Sequence, residues 1–307
     1  PSGAARTLTL SNTGQALSIQ SGSSLSLIGE SGGGIRYMTI NFSGTGNTAL
    51  IAGTLNLNIT SNDPGIYNAT YSSTSVNGRI INNGGTLTSS STNLSFAAAA
   101  EYQHTVNGGT IPAATWSAGS FCRLTGITNS VPSGLNQPFS NFTWDCASQS
   151  ANLTLNGQLT TVNGNLVINT TNDALLTLAS MASSTYTLQV AGKLQVNTGS
   201  WLAIVAGDNI NATVNISGDF ELTGATSSSS YFDFYYYTSG GATLNKVVMN
   251  VSGNYIQSGG LMDLAYGNSD AAAYNELRLS GNFQLSGDAI LYTGTSDNSV
   301  SNGLLVF

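Results

Sequence analysis

The acid, base and nucleophile repertoire of this 307-residue chain is thin: fourteen Asp and Glu, one His and two Cys. Asp219 and Glu221 stand two apart, on one face if the segment is a strand, and Asp208 lies eleven residues earlier. Carboxylates that close can cleave a glycoside or hold a cation; they can equally keep a strand face wet. His104 sits in YQH, but no nucleophile elbow is expected to bring it a serine to activate. A cysteine nucleophile, Cys122 or Cys146 beside His104, would need a free thiol. His104 is therefore expected to be a packed or turn-stabilising residue, and no catalytic residue, metal site or cofactor is expected. SND at 61–63, NSD at 268–270 and SDN at 296–298 read as loops, since no D-x-D-x-D calcium loop occurs.

Cys122 and Cys146 are expected to form a disulfide, with two buried free thiols as the alternative. A bridge closing about 24 residues would contribute roughly 3 kcal/mol in the chain-entropy model. The richest aromatic stretch is YFDFYYYTSG at 231–240. In a strand, Phe232, Phe234 and Tyr236 would face the core. Tyr231, Asp233, Tyr235 and Tyr237 would face out, as a platform for stacking a sugar or a partner, or as a plain tyrosine ladder.

These residues need a scaffold, and a recurring phrase supplies it: VNGNLVI at 162–168, VAGKLQV at 190–196, ISGDFEL at 216–222, VSGNYIQ at 251–257 and LSGNFQL at 279–285. Gly164, Gly192, Gly218, Gly253 and Gly281 anchor it, and each is expected to take positive φ in a tight turn. A period of about 28 residues marks a solenoid. Period-2 alternation in TLTL at 7–10, LSLI at 25–28, TLNLNI at 54–59, NLTLNG at 152–157 and TYTLQV at 185–190 predicts strands. Only the Ala-rich 97–103 segment is a candidate for a short turn or helix. The expected fold is all-β, a right-handed parallel β-helix with coils of about 28 residues. It would run as one solenoid: irregular coils over 1–100, a decorated coil with the Cys pair over 101–150, and regular repeats over 151–307.

Charged residues make up 7% of the chain, where about a quarter is usual. A net charge of −7 and no basic stripe disfavour nucleic acid. No apolar run reaches the ~18 residues of a membrane helix, so no membrane insertion is expected of this segment. The chain opens on PSGAART and stops on LLVF, ends that point to a processed product or an excised piece.

The segment EYQHTVNGGTIPAATWSAGSFCRLTGIT, with GLNQPFSNFTWDC and LNGQLTTVNGNLVI after it, resembles a unit of very large secreted surface proteins of Bacteroidetes bacteria. That resemblance covers about residues 100–300. It implies β-helical repeats, export by the type IX secretion machinery, an extracellular or cell-surface location and adhesion. Surface glycans or other cell-surface proteins would be the partners. The family's Asp-Ser/Thr glycosylation signal occurs nowhere here, which leaves that modification unsupported. The expected function is thus a structural and adhesive module without catalysis; the alternative is a carbohydrate-binding or carbohydrate-active β-helix protein.

Overall fold

A computed structural model of the chain describes residues 5–29, 36–182, 184–207, 209–236, 246–264, 274–293 and 302–307. Every regular element among them is a β-strand, and none is a helix. The alternation explains this, because period-2 apolar spacing can bury one face of a strand but not of a helix. TLTL falls in strand Arg6–Leu10, TLNLNI in Thr54–Thr60 and TYTLQV in Thr185–Val190, whereas NLTLNG yields only Leu153–Thr154. The Ala-rich segment makes a turn and no helix. Ala100 donates to the Ala97 carbonyl at 3.0 Å, Ala99 takes φ 64°, and strand Glu101–His104 follows at once.

The chain divides into two compact units, 1–127 with 132–134, and 128–131 with 135–307. In the first unit, strand Asn47–Ile51 pairs in parallel with Gly14–Ile19 and Ser72–Val76, and Leu94–Phe96 with Ser72–Val76 and Thr115–Trp116. A second ladder runs in parallel from Thr54–Thr60 through Arg79–Asn83 and Glu101–His104 to Phe121–Leu124. Antiparallel pairing joins Thr54–Thr60 to Asp63–Asn68 at Ile59 and Pro64, and single antiparallel bridges join Ile28 to Pro64 and Asn58 to Gly84. Phe42, Leu55, Tyr67, Ile80, Phe96 and Tyr102 are fully buried in its core. The rings of Phe96 and Trp116 stack at 4.5 Å.

In the second unit the described strands form three parallel ladders. One carries the register Leu166, Leu194, Phe220, Tyr255, Phe283, with steps of 28, 26, 35 and 28 residues. Another carries Val162, Val190, Ile216, Val251 and Leu279, with the same steps. The third carries Leu176, Leu202, Phe232, Met262 and Leu291. Most of these residues are fully or nearly fully buried, and each such side chain removed from water contributes about 1.5–3 kcal/mol.

The ladder steps match the glycine spacing, but the glycines act for a different reason than the one expected. None of Gly164, Gly192, Gly218, Gly253 and Gly281 has left-handed φ. They mark bends where the backbones of successive strands approach too closely for a side chain. A Cβ on Gly218 would lie 2.7 Å from the Gly192 carbonyl oxygen, and one on Gly253 2.6 Å from that of Gly218. The same approach lets Gly192, Gly218 and Gly253 donate to Gly164, Gly192 and Gly218 at 2.8, 2.9 and 3.0 Å. Steric room decides these positions.

The residue after each glycine continues this seam. Asn141 Oδ1 accepts from the amide of Asn165 at 3.0 Å, and Asn165 Oδ1 from that of Lys193 at 3.0 Å. Asp219 Oδ1 accepts from the Asn254 amide at 2.7 Å, and Asn254 Oδ1 from that of Asn282 at 3.0 Å. A parallel row links Asp145, Asn169, Asn197 and Thr223 through their side chains at 2.7–3.0 Å. Each bond contributes about 1 kcal/mol net, so the rows add register specificity to the apolar core.

The disulfide is absent: Cys122 and Cys146 are both buried free thiols. Cys122 is the second residue of strand Phe121–Leu124, while Cys146 comes just past the end of strand Asn141–Asp145. Burial pushes the Cys122 thiol well above its ordinary pKa, so it is no ready nucleophile.

Candidate ligand-binding site

On the third ladder the side chains of one face build a cavity. In strand Ser200–Val205, Leu202 points inward, so Trp201 and Ala203 point outward. In Ser230–Tyr235 the inward residue is Phe232 and the outward ones are Tyr231 and Asp233; in Leu261–Asp263 it is Met262, leaving Leu261 and Asp263 outward. In-register pairing then stacks Trp201, Tyr231, Leu261 and Ile290 in one outward column, and Ala203, Asp233, Asp263 and Tyr292 in the next. Ser200 and Ser230 open their strands in register; Ser200 Oγ donates to the Ile168 carbonyl at 3.2 Å and Ser230 Oγ to that of Thr223 at 2.8 Å. These bonds fix where each aromatic emerges.

The cavity has a volume of about 310 Å3 and is lined by Asp173, Trp201, Tyr231, Asp233, Leu261, Asp263 and Tyr292. The rings of Trp201 and Tyr231 lie 5.5 Å apart at 47°, and Tyr236 meets the Trp201 ring edge-on at 4.9 Å. Trp201 Nε1 donates to Asp233 Oδ2 at 2.6 Å, which locks the indole against the acid. Asp233 and Asp263 are 4% and 1% exposed, while Tyr292 is 38% exposed. The acids form the floor and the aromatics the walls. Burial raises the Asp233 pKa to about 7; the Trp201 bond lowers it and the nearby Asp263 raises it further.

The expected platform is corrected in composition. Tyr231 and Asp233 do line the cavity, but Tyr235 is fully buried and cannot present a surface, because its outward side is covered. Tyr236, expected in the core, is partly exposed and leans on Trp201. Tyr237 lies outside the described residues. Trp201, Asp263 and Tyr292 were not foreseen; the signal was there in the matched triplets WLA, YFD, LMD and ILY, spaced at 29–30 residues after the first.

The other chemistry-bearing residues are occupied structurally. Asp219 belongs to the amide row, and Glu221 pairs with Lys193 at 2.9 Å; Asp208 lies outside the described residues. His104 is buried, Nε2 donating to the Gly108 carbonyl at 2.7 Å and Nδ1 accepting from Tyr102 Oη at 3.1 Å. Tyr102 Oη in turn accepts from Asn82 Nδ2 at 3.2 Å. Burial lowers the His104 pKa, which keeps the ring neutral and suits that donor–acceptor pattern. Among the described residues no group of three His, Cys, Asp or Glu converges as for a metal. No described helix is long and apolar enough to cross a membrane.

No family model matches the chain, and neither a curated protein nor a solved structure matches it.

Proposed function

We propose that this chain is a structural and adhesive β-helical module of a large exported bacterial surface protein, binding a surface glycan through the Trp201–Tyr231–Tyr292 cavity. The three ladders would wind as a right-handed helix with coils of about 28 residues, each coil rising ~4.8 Å. Stacked parallel strands, low charge and side-chain amide rows support a stiff stalk. The observation that carries the binding reading is the aromatic-walled cavity with carboxylates at its floor. Sugar rings present C–H faces to aromatics and hydroxyls to carboxylates, and a cavity of this size accommodates about one monosaccharide. Type IX export and extracellular location rest on the resemblance of the 100–300 region.

Binding is tested by a glycan array with the intact chain and its Trp201→Ala variant. Loss of a specific signal in the variant is expected. No glycan signal, or an equal one from both proteins, would remove the adhesive reading.

A second reading has one observation in its favour. Asp233 and Asp263 are register neighbours on parallel strands ~4.8 Å apart, which sets two carboxyls side by side on one face, and glycosidases work with such a pair of acids. Release of new reducing ends from a bound glycan, abolished in Asp233→Asn, would favour it.

A further inference from the structure

The lining of the cavity is one-sided in charge. Three carboxylates line it, from Asp173, Asp233 and Asp263, and no Lys, Arg or His is among its described lining residues. Of the basic residues around it in sequence, Lys193 pairs with Glu221 and Arg278 with Glu276, while Lys246 opens strand Lys246–Val251 on another ladder and is not among the lining residues. Two of the three acids are at least nine-tenths buried, on adjacent strands in register, so ionising both sets like charges side by side in a poorly solvated place. A proton on Asp233 relieves that repulsion, and a positive ligand turns it into attraction.

The walls point the same way. Trp201 spends its only side-chain hydrogen-bond donor on Asp233, leaving the π system as what the indole offers a ligand. Tyr231 packs against it at 5.5 Å, and Tyr292 stands in register with Asp263 with 38% of its surface open. Aromatic faces carry negative charge, so two tyrosines and a tryptophan around buried carboxylates attract an ammonium by two additive effects. A neutral hydroxyl gains neither to the same degree.

We propose that this cavity is a cage for a ligand ammonium group, and that the glycan it takes carries a free amine, a deacetylated hexosamine. The second half rests on the glycan-binding reading above; the first does not. N-acetylation would remove the charge and place a bulky amide against the carboxylate floor.

Calorimetric titration of the intact chain with a glucosamine trimer, an N-acetylglucosamine trimer and choline tests both halves. The free amine trimer should bind at least tenfold more tightly than the acetylated one, and choline alone should bind measurably. Asp233→Asn should weaken amine and choline binding several-fold without affecting the acetylated trimer. Asp173→Asn, at an exposed rim position that tolerates Asn at its left-handed φ of 60°, should weaken them less and leaves the fold undisturbed. Equal affinity for the two trimers overturns the cage and leaves glycan binding standing. Choline binding without either trimer supports the cage and overturns the glycan reading. No binding of any of the three overturns both.

Discussion

Replacing Asp233 by Asn should flatten the pH dependence of stability of the 135–307 unit. The wild-type carboxyl titrates at about 7 in the folded chain against 3.8 when unfolded. That is a gap of about three pK units, and at about 1.36 kcal/mol per unit it corresponds to roughly 4 kcal/mol. The folded state holds the proton more tightly, so the contribution is complete below pH 3.8. It declines as pH rises and is gone above about 7. Asparagine keeps an acceptor for Trp201 Nε1 and removes the titration. Urea midpoints followed by tryptophan fluorescence and circular dichroism at pH 4.5, 6 and 7.5 would measure it. The variant should match the wild type to within about 1 kcal/mol near pH 4.5 and exceed it by several at pH 7.5. Parallel curves for the two proteins across that range would refute the burial argument for Asp233.

The 1–127 unit should respond to pH in the opposite sense, because His104 has a lowered pKa: its contribution is present above pH 6.5 and fades as pH falls through the folded value. His104→Phe should remove that acid sensitivity in thermal melts and cost about 2–4 kcal/mol by stranding the Tyr102 hydroxyl and the Gly108 carbonyl. Gly218→Ala should destabilise by about 2–3 kcal/mol in chemical denaturation, since its Cβ meets backbone rather than a movable side chain. Leu194→Asp and Phe220→Asp each place a carboxylate at a fully buried position and should open the neighbouring strands to limited proteolysis; unchanged cleavage would count against the ladder register. Cys122 and Cys146 should resist alkylation in the native chain, and a reductant should leave the melting curve unmoved.

Local chemistry in the sequence reached far. Alternation located several strands, because a strand's inward and outward faces are set by neighbours one and two residues away. The glycine echo located the register, because close approach of successive backbones forbids any other residue there. Its cause was misread, since a turn demanding positive φ and a backbone contact forbidding Cβ leave the same glycine in the sequence. The YFD triplet holds Tyr231 and Asp233, which line the cavity, while Tyr235 shares their side of the strand and is nevertheless buried. Alternation reports which way a side chain points and is silent about what covers it.

What the sequence by itself determined was the all-β class, the repeating ladder and the scarcity of chemistry. Those follow from composition and from spacing along the chain. Only the tertiary structure decided that Trp201, Asp233, Asp263 and Tyr292 share one cavity, and that two cysteines a ladder step apart do not bond. The reason is register: strands joined through connections of unequal length become neighbours only when their cores stack, and a slip of one residue would turn every side chain of a strand to its other face.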